Sequence, residues 1–380
     1  MRVRLTAALA LAALLVAVLA TSGSGAPLGP MPKGFFGIAP QTPLGPEDVE
    51  YMQAGGIESV RVAFPWSGIQ PTKKGGYDWS VVDPTIEVAA RGGLEVLPFL
   101  AGTPRWLGKM TTIPVLNARQ RAAWIAFVKA AAKRYGPGGE FWAEHAGKGV
   151  KGVNYEGVNY GPPITKLKPK PIRTWQIWNE ANFFYFAYPV SPGRYAKLVT
   201  ISSKAIKSVQ PGAKIVLTGL FGEPTATGKR GLNSAIFLRR FYETPGIKSQ
   251  FDSIALHPYA IDTESLEEMV EAIHEVTVEN HDRPGLYITE MGWGSQNNFE
   301  HDAFEQGIRG QVSQLKGAYG FLMENQRRLN LKQVYWFSWK DAPLLCDFCD
   351  SVGFFRQGRH FHAKPAWHAF VNITGGRARP

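Results

Sequence analysis

Eight short runs rich in aliphatic and β-branched residues recur along the 380-residue chain, and stretches with helical periodicity separate them. The runs cover 35–39, 59–64, 94–99, 173–178, 214–218, 251–256, 286–289 and 333–338. Between them, apolar residues return every three or four positions, the spacing that gives a helix one buried face. Trp124, Phe127, Val128 and Ala131 make one such stripe, and Tyr195, Leu198, Val199, Ser202 and Ile206 a second. Leu266, Met269, Val270 and Ile273 make a third; Ile308, Val312, Leu315, Tyr319 and Leu322 make a fourth. Weaker helical patterns cover 46–54, 83–90 and 232–241. Strict strand–helix alternation leaves two α/β architectures, a (β/α)8 TIM barrel or a doubly wound open sheet. An open sheet that holds a nucleotide needs a glycine-rich turn after its first strand. The chain reads Gly37-Ile38-Ala39-Pro40-Gln41-Thr42-Pro43 there, so the barrel is the expected fold.

The remaining organisation follows from charge and small-residue patterns. Arg2 and Arg4 precede an uncharged stretch from Thr6 to Ala20, and small residues follow at 21–26. This is the pattern of a secretory leader, expected over 1–26, with cleavage after Ala20 or Ala26. The apolar stretch is shorter than the ~20 residues of a spanning helix, so no stable membrane span is expected. A single domain over 27–380 is expected, with a long loop insertion around 136–172 that repeats Gly-Val-Asn-Tyr at 152–155 and 157–160. A chain of this length can build its core without covalent staples. Cys346 and Cys349 are therefore read as a local disulfide of an exported protein rather than a zinc half-site or redox centre. The net charge is +11, and lysines 148, 151, 166, 168 and 170 crowd the insertion. Such a surplus favours anionic surfaces or polysaccharides, although a solvated basic loop is the simpler reading of the cluster. Nucleic acid is not an expected partner, and a monomer is the default state. Eleven tryptophans matter more, because sugars present flat C–H faces that stack on indole.

In a barrel the functional groups stand where the strands end. The fourth run ends in Trp178-Asn179-Glu180 and the seventh in Thr289-Glu290-Met291-Gly292-Trp293. A carboxylate after an apolar strand is costly unless used or paired. These two ends face each other across the mouth, close enough for the ~5–5.5 Å separation that double-displacement glycoside hydrolysis requires. Either glutamate alone is explained by hydrogen bonds to loop amides; the pair is not. Arg61, a charge inside the second run, is placed to orient the nucleophilic carboxylate, or to form a salt bridge in the barrel interior. The sixth run leads into His257-Pro258-Tyr259, whose phenol can donate to the same carboxylate and whose imidazole shapes the pocket or is simply packed. Asn179 is positioned to hold a sugar hydroxyl. Trp339, preferred over Trp336 as nearer the strand end, and Trp293 are the expected stacking platforms, with Trp66 and Trp106 as further candidates. No cluster of His, Asp and Cys has ligand spacing, so neither metal nor organic cofactor is expected.

Taken in order, Trp175-Gln176-Ile177-Trp178-Asn179-Glu180, His257-Pro258-Tyr259, Thr289-Glu290 and Trp339 resemble clan A retaining glycoside hydrolases, most like those of families 39 and 5. Tyr135-Gly136-Pro137-Gly138-Gly139 and Phe141-Trp142 resemble bacterial family 39-like members. The resemblance spans nearly all of the chain after its leader. It implies retention of anomeric configuration on a β-linked oligo- or polysaccharide, with Glu180 as acid/base and Glu290 as nucleophile. It also implies Arg61, Asn179, His257 and Tyr259 as pocket residues. One departure stands out: many relatives carry proline after the Asn-Glu pair, whereas here Ala181 is followed by Phe183-Phe184-Tyr185-Phe186. The rival readings are a silent barrel that binds a cell-wall polymer and a serine hydrolase built on Ser295, which lacks a Gly-x-Ser-x-Gly elbow.

Overall fold

The computed structural model describes residues 30–147, 153–155, 158–160, 167–297, 303–343, 346, 348–358 and 360–380. The expected leader lies outside them, as does most of the lysine-rich part of the insertion. Eight parallel strands close into a barrel, each paired with its neighbours in chain order. They are β1 (Phe36–Ile38), β2 (Ser59–Pro65), β3 (Glu95–Ala101), β4 (Thr174–Ile177), β5 (Lys214–Phe221), β6 (Ser253–His257), β7 (Gly285–Met291) and β8 (Leu331–Trp336). Each corresponds to one of the eight runs. A helix follows every strand: α1 (Pro46–Ala54), α2 (Asp83–Arg91), α3 (Ala118–Tyr135), α4 (Pro192–Lys207), α5 (Ser234–Tyr242), α6 (Thr263–Glu279), α7 (Gly307–Glu324) and α8 (Pro365–Thr374). The fold is therefore the (β/α)8 barrel.

The local chemistry explains these boundaries. α3, α4, α5 and α6 begin behind Asn117, Ser191, Asn233 and Asp262, whose side chains accept from the first free backbone N–H groups. Each cap of this kind is worth about 1 kcal/mol. The expected stripes are the buried faces: Trp124, Phe127 and Val128 in α3, and Leu266, Val270 and Ile273 in α6. Within the insertion, a short helix at Glu140–His145 precedes an antiparallel ribbon of Val153–Tyr155 and Val158–Tyr160, which is the repeated Gly-Val-Asn-Tyr segment. Cys346 and Cys349 are joined as a disulfide, as the spacing suggested. No helix among the described residues is long and apolar enough to cross a membrane.

The β4 end is where the backbone departs most from regular geometry. Trp178 and Glu180 both take positive φ, 72° and 37°, a region that side chains other than glycine enter at a cost. Neighbouring strands hold the turn in place. Trp178 N donates to Leu100 O on β3 at 2.9 Å, and Glu180 N donates to Gly219 O on β5 at 3.1 Å. The indole of Trp178 donates to Phe186 O at 2.8 Å, which folds the following loop back onto the strand.

Candidate active site

Arg61 organises the barrel mouth. It stands on β2 with its guanidinium over the Phe99 ring, 4.1 Å from the centroid, and is almost wholly buried. Its three nitrogens tie β2 to the end of β4 and to β7. Nε donates to Gln176 Oε1 on β4 at 2.7 Å, Nη1 to Glu290 Oε1 on β7 at 2.5 Å, and Nη2 to Asn179 Oδ1 at 2.7 Å. The fork fixes both the carboxylate plane of Glu290 and the amide orientation of Asn179, whose NH2 remains the donor for another acceptor. Tyr259 OH donates to the other oxygen, Glu290 Oε2, at 2.7 Å. Glu290 is thus held through both oxygens, one by a fixed cation and one by a phenol.

Glu180 stands in a different environment. Its Oε1 lies 2.8 Å from His257 Nδ1, and the same nitrogen is 3.6 Å from Glu290 Oε2. Burial pushes the Glu180 carboxyl well above the ordinary carboxylate range, and the Glu290 charge adds to this against the pull of Arg61. Burial, then Arg61, pushes His257 well below the ordinary imidazole range, so the ring is neutral. Burial and Glu290 likewise raise the Tyr259 phenol, which keeps it a donor. A carboxylate oxygen of each glutamate lies within 4.8 Å of the other. Both side chains keep a small solvent-facing area, 8% for Glu180 and 11% for Glu290.

Glu180, His257 and Glu290 also form a set of three donors, which chain spacing could not foretell. The surroundings fit a metal poorly. Arg61 already neutralises Glu290, Tyr259 takes its second oxygen, and a second cation would sit against a buried guanidinium. Elsewhere, a hollow of about 220 Å³ at the opposite end of the barrel lies among Ile254, Ile273, Leu286 and Leu329. Asp282 is the one carboxylate in its lining.

The structure brings Arg61, Asn179, Glu180, His257, Tyr259 and Glu290 together. It does not bring the tryptophans. Trp339 is fully buried in the outer layer, donating to Asp48 Oδ1 at 2.8 Å and packing edge-on against Trp367. Trp293 is equally buried, 6.2 Å from Trp336, and Trp336 stacks on Phe354. The expectation of indole platforms at Trp339 and Trp293 is therefore corrected: neither offers a face to a ligand. Trp66 is buried against Phe127, while Trp106 keeps partial exposure. Phenylalanines take the place beside Tyr259. Phe348 lies 5.3 Å from its ring, Phe337 and Phe304 5.9 Å, and Phe221 6.0 Å. The Cys346–Cys349 disulfide brackets Phe348 within the loop after β8. Gln176 was also missed as a site residue, although a buried amide inside an apolar strand was a readable signal.

Comparison with known proteins agrees with this geometry at the level of fold. The model of glycoside hydrolase family 42, described as β-galactosidase, matches residues 42–126, a segment that includes Arg61 but neither glutamate. No curated protein sequence matches significantly. Among solved structures, a family 39 glycoside hydrolase from Bacteroides cellulosilyticus superposes with a TM-score of 0.62 at 14% identity, over 90% of this chain and 64% of its own. This chain thus spans less than two thirds of that protein. A monomeric β-xylosidase from Caulobacter crescentus gives 0.59 at 17% identity, over 91% of this chain and 69% of its own. A glucosidase from Croceicoccus marinus gives 0.60 at 14% identity, over 92% and 69%.

Proposed function

We propose that the chain is a retaining glycoside hydrolase acting on a β-linked oligo- or polysaccharide, with Glu180 as acid/base and Glu290 as nucleophile. One observation carries the reading. Two carboxyl groups with oxygens within 4.8 Å stand in different environments: Arg61 and Tyr259 grip Glu290, while burial pushes the Glu180 carboxyl well above the ordinary carboxylate range. Retaining chemistry sets its two carboxyl groups about 5–5.5 Å apart and inverting chemistry about 6.5–9.5 Å; the close approach of these oxygens supports the retaining reading. The glycosidase matches in family model and fold support the same class.

In the first step Glu290 attacks the anomeric carbon as Glu180 gives its proton to the departing glycosidic oxygen. The C–O bond to the leaving sugar breaks and a glycosyl ester to Glu290 forms. In the second step Glu180, now ionised, takes a proton from water; the water oxygen attacks the anomeric carbon and Glu290 leaves. Arg61 and Tyr259 keep Glu290 oriented, and the Asn179 amide is free to bind a sugar hydroxyl. His257 holds Glu180 toward the cleft through Nδ1. All six groups come from one chain, so a monomer suffices. The disulfide accords with an exported protein.

The test is hydrolysis across a panel of aryl β-glycosides by wild type, Glu180→Gln and Glu290→Gln. Wild type should cleave at least one member, Glu180→Gln should lose about 10²–10⁴-fold, and Glu290→Gln should fall to background. Azide should rescue Glu290→Ala and yield the glycosyl azide of inverted configuration. Variants that keep full activity would overturn the assignment; a wild type that binds glycans without cleaving any would favour the silent barrel.

A further inference from the structure

We infer that the leaving-group side of the cleft is an aromatic and cationic wall that binds an acidic oligosaccharide. This rests on the proposed role of Glu180, because the acid stands beside the departing sugar. The loop directly after it, 181–190, opens on Ala181 and carries the aromatic run Phe183-Phe184-Tyr185-Phe186.

The rings form a continuous path out of the site. Phe221 at the end of β5 lies 6.0 Å from Tyr259, and Phe183 stacks on Phe221 at 5.1 Å. Tyr185 meets Phe183 at 5.0 Å and stacks on Phe184 at 4.3 Å. Tyr185 is 64% exposed, an unusual position for so large a ring unless something covers it. The path is held rigidly. Asn182 Nδ2 donates to Phe221 O and Leu232 O, and its Oδ1 accepts from Phe221 N. Phe184 N donates to Arg230 O, and Val190 N to Lys229 O, so the loops after β4 and β5 make one surface. Tyr188 N donates to Thr111 O, which joins the loop after β3 to it.

The charge on this surface is predominantly cationic. Segments 102–112, 181–190 and 222–232 carry Arg105, Lys109, Lys229 and Arg230 against one carboxylate, Glu223, which accepts from Asn233 Nδ2. None of the four is in an ion pair among the described residues. Arg230 lies over the Phe184 ring, 3.9 Å from its centroid, which fixes a guanidinium beside an aromatic face. A ring for the C–H face of a sugar and a fork for a carboxylate, side by side, match a uronic acid residue.

Binding by Glu290→Gln, which requires no turnover, tests this with β-linked uronic acid tetrasaccharides and their carboxyl-reduced counterparts, measured by titration calorimetry at low and high salt. The acidic sugars should bind about tenfold or more tighter, with the preference shrinking as salt rises. Arg230→Ala should erase that preference, and Tyr185→Ala should weaken both forms about tenfold. Equal binding of the two forms, binding of neither, or a preference that survives Arg230→Ala would overturn the inference. Failure of the proposed function looks different: wild type would bind the acidic tetrasaccharide and leave it intact.

Discussion

Glu180 and Glu290 share one buried region, and the charge of Glu290 acts on the Glu180 carboxyl. Arg61 and Tyr259 grip Glu290, while Glu180 has only a neutral imidazole and burial disfavours its charge. The proton therefore rests on Glu180, and the negative charge of Glu290 helps to keep it there. Replacing Glu290 with Gln removes that repulsion and leaves the Arg61 charge unbalanced. Both changes favour the ionised form of Glu180. Carboxyl-carbon NMR titration should thus find Glu180 titrating at lower pH in Glu290→Gln than in wild type. An unchanged or higher value would show that the two groups do not communicate as described. The same coupling has a sign in stability. Because the folded state holds the Glu180 proton more tightly than the unfolded chain does, its contribution is full below the unfolded pKa. It fades as pH rises through the folded value.

At the scale of the element, the site depends on what β5 lacks. A Cβ at Gly219 would sit 2.0 Å from His257 Nε2 and 2.4 Å from Cδ2, and the Gly219 carbonyl accepts from Glu180 N. Gly219→Ala should therefore displace the imidazole that holds Glu180, at an overpacking cost of about 1–3 kcal/mol. A displaced acid hurts most where the leaving group needs a proton. The variant should lose at least tenfold more kcat/KM on an unactivated disaccharide than on an activated aryl glycoside; equal losses would mean general distortion. This dependence was invisible in the chain, whereas the strands were not. Parallel strands buried on both faces read as apolar runs, which is why all eight were legible. Trp339 was misplaced because period-two reasoning assumes that the strand continues. β8 ends at Trp336, so Tyr335 and Phe337 face the interior as alternation requires, but Trp339 lies past the end, against α1 and α8. α8 itself went unread despite Pro365 in its first turn and Gly375 beyond its last. The carboxylate pair was legible because it is covalently fixed to strand ends; Phe304 and Phe348 at the mouth come from loops, whose paths no periodicity gives.

Across the whole molecule, the mouth is held by a second polar cluster, apart from the one around Arg61. Lys364, buried just before α8, donates from Nζ to Asp341 Oδ1 at 2.6 Å, Ser351 O at 2.5 Å and Ser295 Oγ at 3.1 Å. Burial lowers the Lys364 pKa and raises that of Asp341, in each case against the pull of the partner. The four residues come from the loops after β7 and β8, and the latter carries Phe348 to Tyr259. Gly353 N donates to Asp341 Oδ1 at 2.9 Å, so the same carboxylate also fixes the returning backbone. Removing one partner of such a pair leaves a buried charge without compensation, whereas replacing both with uncharged residues of similar volume does not. Lys364→Ala should therefore cost about 3–5 kcal/mol in denaturant unfolding. Lys364→Met combined with Asp341→Asn should recover most of that, since the Asn carbonyl can still accept from Gly353 N. If the double variant is no more stable than Lys364→Ala, the loss comes from packing around the lysine stem rather than from the stranded carboxylate.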